Sequence, residues 1–233
     1  MGEYIFECDN VFKSYGSILA LDNVSFKVKP GGVVGLLGPN ASGKSTLIKL
    51  AMGMLQPNEG KILIDGKAPG ADTKKITSYL PDANYLYNWM TVEKQVKYCA
   101  DFFKDFNMDK CENLLNRLQI HKKQKIKSLS KGTKEKLGLI LTMSRDAQLY
   151  ILDEPIAGVD PAARDFILDV VMNNRAEGST IFLCTHLIAD IEPILTHAIF
   201  LNRGRIALDA PVAEVKEKEG KSLDELFREV FKW

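Results

Sequence analysis

Residues 38–46 read GPNASGKST: a glycine, four residues, then glycine, lysine and two hydroxyl side chains. That spacing suits a polyphosphate. Gly38 and Gly43 let the loop that contains Pro39, Asn40, Ala41 and Ser42 turn its backbone N–H groups inward around an anion. Lys44 then reaches the β and γ phosphates, Ser45 offers its hydroxyl to Mg²⁺, and Thr46 donates to the α phosphate. A plain glycine turn beside a helix cap would use the same residue types. The order around them, an apolar strand VVGLLG before and a helical run after, is what the phosphate reading requires.

Two further stretches carry chemistry. LYILDEP, residues 149–155, is an apolar strand that ends in two carboxylates. Asp153 suits Mg²⁺ held through water, and Glu154 suits orienting or deprotonating an attacking water, help worth ~10² to 10⁴ in rate. As two acids before Pro155 they would also serve as helix caps. SLSKGTKEKLGLILTM, residues 128–143, opens as a helix: Ser130 caps, Glu135 falls early, and Leu137, Leu139, Ile140 and Leu141 follow. Ser130 and Gly132 at that start, with two lysines beside them, prepare the positive end of the helix to hold an anion.

The elements that position these residues alternate in texture. The first eighty residues read as strands broken by turns: YIFECDNVFKSYG, VSFKV, GVVGLLG, GKILIDG and ITSYLP. From about Asn84 a mostly helical insert begins, with Thr91 and Asp109 as caps of TVEKQVKYCADFFKDF and DKCENLLNRLQI. Strand texture returns at AQLYILDEP and STIFLCTH, each followed by a helical stretch, the alternation of a parallel sheet with crossover helices. Near the C-terminus SLDELFREVFKW carries a capping box, Ser222 with Glu225, and one apolar stripe of Leu223, Leu226, Phe227, Val230 and Phe231 that should dock on the core.

Bulk composition excludes more than it assigns. Lys+Arg 31 against Asp+Glu 30 leaves a net charge of +1, so the whole chain offers no general attraction for nucleic acid or for an anionic membrane. Local charge must be read instead. The four cysteines, Cys8, Cys99, Cys111 and Cys184, lack metal spacing, and MGEYIFECDN lacks the plan of a signal peptide, which together suggest a reducing cytoplasm. No apolar run approaches the roughly 18 to 20 residues that cross a bilayer.

GPNASGKST, LSKGT, LYILDEP, GVD at 158–160 and TH at 185–186 occur in the order of the nucleotide-binding subunits of ABC transporters, which the chain resembles over nearly its whole length. The resemblance implies an α/β fold: a P-loop NTPase core with a mainly parallel sheet, an N-terminal antiparallel β subdomain, and a helical subdomain that carries the signature LSKGT. The division it implies is a catalytic core over 1–82 and 146–213, a helical subdomain over 83–145, and a C-terminal helix over 214–233. Its ligands would be ATP and Mg²⁺, its reaction ATP hydrolysis coupled to transport.

The family's roles carry over to single positions. Tyr15 would stack on adenine, although an aromatic that ends a strand also serves as core or rim filler. Ser130 and Gly132 would face the γ phosphate held by the cradle of a second copy. Asp160 would link the two sites across that dimer, and His186 would hydrogen-bond the γ phosphate as a switch; His121 and His197 read as solvated bystanders. The usual LSGGQ is here LSKGT, with Lys131 and Thr133 as the variants. Asp82 stands where the family commonly places glutamine; it is an oxygen donor toward Mg²⁺, directly or through water, one methylene shorter and negatively charged. Acidic residues at this place resemble those of export-type subunits that serve antibiotic and multidrug exporters.

The partners so implied are a second ATPase subunit, identical or related, and a separate transmembrane permease, without nucleic acid. The chain would sit in the cytoplasm, peripheral on the membrane through the permease only. Tyr85, Tyr87 and Trp89 would either receive a cytoplasmic helix of the permease or fill the core of the helical insert. A soluble ABC ATPase serving an assembly or repair scaffold is the alternative; Glu154 and His186 together disfavour a catalytically silent nucleotide sensor.

Overall fold

Strand β1 (Phe6–Tyr15) lies between β2 (Ile18–Val28) and, further along the chain, Glu59–Ile64, in a three-stranded antiparallel sheet. The computed structural model describes residues 2–157, 159 and 161–231, without the side chains of 161–163. VSFKV is only the end of β2. The strand starts ten residues before Val28, at an exposed Ile18 that pairs with Tyr15 across the turn at Gly16, where φ is 59° and glycine is unstrained. Pairing register fixes this start, so the apolar pattern does not announce it.

After β3 (Val33–Leu37), α1 (Lys44–Ala51) and β4 (Glu59–Ile64) comes a helix that strand texture hid, α2 (Ala71–Ile76). It is six residues long with little apolar periodicity, and Thr73 Oγ1 accepts the Gly70 N–H at 2.9 Å to start it. Then β5 (Thr77–Leu80), β6 (Leu149–Asp153), β7 (Thr180–Thr185), β8 (His197–Asn202) and β9 (Arg205–Pro211) join β3 in a six-stranded sheet of order β5-β6-β7-β3-β8-β9. Every neighbouring pair is parallel except β8 with β9. The mainly parallel sheet and the antiparallel β unit are thus both present.

Adjacency of β6, β7 and β3 matters most for chemistry. Their C-terminal ends lie side by side, so the loop after Leu37, the pair Asp153–Glu154 and the pair Thr185–His186 emerge at one edge of the sheet, where open α/β sheets bind ligands. The strands reach that edge fully buried and alternate between two cores. Val33, Leu37, Tyr150 and Leu152 face the helices, whereas Val34, Leu36, Ile151 and Phe182 face the antiparallel sheet and α1.

The insert between β5 and β6 is helical: α3 (Val92–Phe102), α4 (Met108–Arg117) and α5 (Lys131–Met143). Thr91 and Ser130 cap α3 and α5 as expected, but α4 is capped by Asn107, whose side chain accepts the Lys110 N–H at 3.0 Å, and Asp109 lies in its first turn. Asparagine and aspartate both cap well, and the helix simply begins one residue earlier than the acidic signal. The insert rejoins the core through Arg145, a buried cation that no local sequence pattern singles out. It grips Asp105 through Nε at 3.0 Å and Nη2 at 2.9 Å, donates to the Thr77 carbonyl at 2.6 Å, and stacks 3.9 Å from the Phe103 ring centroid.

The chain forms α6 (Pro161–Asn174) before β7 and α7 (Ile188–Ile191) after it, and closes with α8 (Val212–Glu219) and α9 (Leu223–Val230). The single C-terminal helix expected over 214–233 is therefore two, divided by Gly220 at φ 63°. Ser222 and Glu225 form the expected reciprocal cap, and Phe227 and Phe231 pack on Phe200 with centroids 5.5 and 5.9 Å away. His197, read as a bystander after a helix, instead opens β8 and binds Asp209 through Nε2 at 2.6 Å.

Candidate nucleotide site

The loop from Gly38 to Gly43 leaves no room for a side chain at either of its glycines. A Cβ on Gly38 would lie 2.4 Å from the Leu201 carbonyl, and one on Gly43, where φ is 112°, would lie 2.6 Å from the Ala20 carbonyl. Ala41 also takes a positive φ of 64°. These turns leave the backbone free to face an anion, and α1 starts immediately after, adding its positive end. Lys44 is buried, donating from Nζ to the carbonyls of Gly38 at 2.7 Å and Pro39 at 3.1 Å; Ser45 is exposed and Thr46 half-buried behind it. Ala20 ties β2 to this loop, which brings the β1–β2 turn and Tyr15 alongside; that ring is 45% exposed, with Lys13 Nζ 5.7 Å from its centroid.

Glu154 gathers the other elements. Its Oε1 lies 3.0 Å from His186 Nδ1 and 3.9 Å from Lys44 Nζ, and its Oε2 accepts the Thr185 hydroxyl at 2.8 Å. Its backbone sits at φ 50°, a left-handed conformation uncommon for a residue with a Cβ, held by its N–H donating to the Cys184 carbonyl at 2.8 Å. Three residues singled out from separate stretches therefore meet in one network. Thr185 completes it and was missed as a site residue; the TH dipeptide was the signal, and its threonine has a role as well as its histidine.

Asp153 is 4% exposed, and its Oδ1 has no hydrogen-bond partner among the described residues. Burial, with the carboxylates of Asp82 and Glu154 nearby, pushes its carboxyl up to about 6 against a pull down by Lys44. A cation at this oxygen would supply the missing interaction, so the donor set of Ser45 and Asp153 fits Mg²⁺ beside bound phosphates. Asp82 lines the same cavity of about 290 Å³ as Asp153, Glu154 and Gly138. Among the described residues no three His, Cys, Asp or Glu side chains are grouped as a metal cage, so a Mg²⁺ held here would draw its remaining oxygens from phosphate and water. Replacing Asp153 with Asn should stabilise the nucleotide-free chain by ~1 to 3 kcal/mol at pH 7. The sign follows from the raised pKa: the native carboxyl charges at a cost as pH climbs from about 4 to about 6. The gain in melting temperature should therefore appear above that window and vanish near pH 4, as a pH series of thermal melts would register.

Ser130 caps α5, its Oγ accepting the Thr133 N–H at 3.1 Å, and a Cβ on Gly132 would meet nothing within 4 Å. Neither residue lines the cavity that holds Asp153 and Glu154, although Lys131, Lys134 and Glu135 do. Asp160, with Gly158, lies outside the described residues. The aromatic trio splits. Tyr85, 38% exposed, anchors its hydroxyl on α5, donating to the Gly138 carbonyl at 3.0 Å, whereas the rings of Tyr87 and Trp89 continue into Tyr98 and Phe102, with successive ring centroids 5.5 to 6.3 Å apart.

The sequence pattern of the ABC transporter family matches residues 21–157, more than half of the chain. This chain belongs to the ABC transporter family. Its relatives include the lantibiotic transport ATP-binding protein SrtF of Streptococcus pyogenes, 30% identical over 94% of this chain and 93% of that one. The SkfA peptide export ATP-binding protein SkfE of Bacillus subtilis is 29% identical over 92% of each. An uncharacterized ABC transporter ATP-binding protein of Synechocystis sp. is 30% identical over 84% of this chain, which spans only 58% of that relative's length. A solved ATP-binding subunit of an ABC transporter superposes with a TM-score of 0.88 at 29% identity, covering 98% of this chain and 100% of the other. The fold is therefore that of an ABC ATPase, and ATP is the ligand that the phosphate loop binds in this family.

His186, just past the end of β7, reaches Glu154 while keeping 40% of its side chain exposed. His186→Ala should lower ATP turnover by about 10² or more while ATP still binds, as phosphate release and nucleotide titration would report. A rate near that of the parent would remove His186 from the reaction.

Proposed function

We propose that two such chains, identical or related, close around two ATP molecules and that the cycle of closure and hydrolysis drives a separately encoded membrane permease. In each half, Lys44, the loop around it and Tyr15 hold ATP, Ser45 and Asp153 hold Mg²⁺, and Glu154 activates water with His186 beside it. Asp160 would couple the two halves. The observation that supports this most is the division of labour within one chain. Lys44, Glu154 and His186 form one network, whereas Ser130 and Gly132 stand outside the cavity beside it, capped and open to an approaching surface. Hydrolysis removes the phosphate that bridges the halves, and the helical segment within 83–145 passes the reopening to the permease.

Among the described residues no helix is long and apolar enough to cross a membrane, so the permease supplies the path. The exposed row of Tyr87, Tyr98 and Phe102 offers an aromatic bed for one of its cytoplasmic helices. Peripheral placement on the cytoplasmic face follows. Asp82 and the peptide and lantibiotic exporters among the relatives favour export of drugs, antibiotics or peptides. Purification of the tagged chain from mild-detergent membranes should bring down a multi-helix protein in stoichiometric amount. An ATPase serving a soluble scaffold would bring down none.

A further inference from the structure

Residues 121–136 carry seven lysines, one glutamate and no arginine, in a chain whose net charge is only +1. The part before α5 is ordered as a comb. His121, Lys123, Lys125 and Lys127 are exposed, while Lys122 and Gln124 are half-buried and Ile126 is buried between them. That alternation is held by pairing with the segment ahead of α3. The Val92 N–H donates to the Gln124 carbonyl at 3.0 Å, the Ile126 N–H to Met90 at 2.9 Å and the Lys127 N–H to Asn88 at 3.1 Å, with Thr91 opposite Lys125. Asn88 lies between Tyr87 and Trp89, and Trp89 is 71% exposed. Among the described residues, Lys122 has Glu112 as its ion-pair partner, but Lys123, Lys125 and Lys127 have none. Glu93 is the one carboxylate on the two paired stretches 88–93 and 121–127.

We propose that this comb binds the anionic headgroups of a phospholipid bilayer, with Trp89 at its edge seated at headgroup level. Three unpaired cations on flexible stems, projecting from one side of an ordered ribbon, match a fluid layer of negative charge. The indole beside them suits the interface between headgroups and water. Base-specific reading of nucleic acid favours the planar forks of arginine, which the stretch lacks. The placement against the inner leaflet rests on the permease reading above, but the contact itself needs no permease. It would orient the helical insert toward the membrane before or alongside docking.

Vesicles of phosphatidylglycerol mixed with phosphatidylcholine should sediment the full chain at low salt, and vesicles of phosphatidylcholine alone should not. Lys123→Gln, Lys125→Gln and Lys127→Gln together should weaken binding on the order of 100-fold, and salt at about 0.5 M should do much the same by screening. The corresponding triple Lys→Arg variant should retain binding, and ATP affinity should be unchanged in both variants. Equal binding to neutral vesicles, no binding to anionic ones, or an undiminished Lys→Gln variant would overturn the proposal. So would tighter binding to a single-stranded oligonucleotide than to anionic vesicles at the same salt. Because none of these residues touches the nucleotide loop, ATP-driven dimerisation tests the functional reading separately.

Discussion

Glu154→Gln is expected to lower ATP turnover by ~10² to 10⁴ and to leave ATP binding intact. The substitution keeps the side chain's length and one carbonyl oxygen, so the hydrogen bond from Thr185 to Oε2, 2.8 Å in the parent, has an acceptor to use. What it removes is the negative charge and the basic oxygen that faces His186 at 3.0 Å and Lys44 at 3.9 Å. A water beside the γ phosphate then loses its proton acceptor while every contact that holds the nucleotide survives. ATP should in consequence persist between the halves, and the dimer that closes around it should become long-lived. Analytical ultracentrifugation with ATP and Mg²⁺ should show a species of twice the chain mass, and single-turnover phosphate release should show the lost rate. A variant that hydrolyses at the parent's rate would take the base role away from Glu154.

That this residue could be found without coordinates reflects how local its constraints are. An apolar strand that must end at the sheet's edge, followed by carboxylates, writes itself into five or six consecutive positions, and the same holds for Gly38 through Thr46. Ser130 and Ser222 were legible for the same reason, since a cap and the helix it starts are neighbours in sequence. Features set by distant partners were not. Arg145 is one cation among 31 basic residues until Asp105, Thr77 and Phe103 converge on it from other elements. Thr185 acquires its task only because β7 lies beside β6 and so delivers its hydroxyl to Glu154. The start of β2 is fixed by pairing with β1, and α2 by a single hydroxyl, neither of which leaves a periodic trace. Tyr85 and Trp89, four positions apart, read alike in sequence. Only the approach of Gly138, whose carbonyl accepts the Tyr85 hydroxyl at 3.0 Å, ties one to α5 and leaves the other, 71% exposed, outside it.

Ser130→Arg is expected to abolish the ATP-dependent dimer of a Glu154→Gln background and to reduce turnover in the parent background to the level of an isolated chain, with nucleotide affinity of the monomer unchanged. Ser130 is exposed and does not line the cavity shared by Asp153 and Glu154, so the added bulk is expected to leave nucleotide binding by its own chain intact. The lost cap to the Thr133 N–H should cost about 1 kcal/mol, too little to unfold the chain, and Ser130→Ala supplies a control that loses the cap without adding bulk. Charge sharpens the inference. Arginine would attract a phosphate, so failure to close would come from its volume at a surface where Gly132 leaves open space, and not from repulsion. Ser130→Ala should therefore retain dimerisation in part while Ser130→Arg loses it. If Ser130→Arg instead lost ATP binding as a solitary chain, the serine would belong to its own half's pocket. The site would then be complete within one polypeptide.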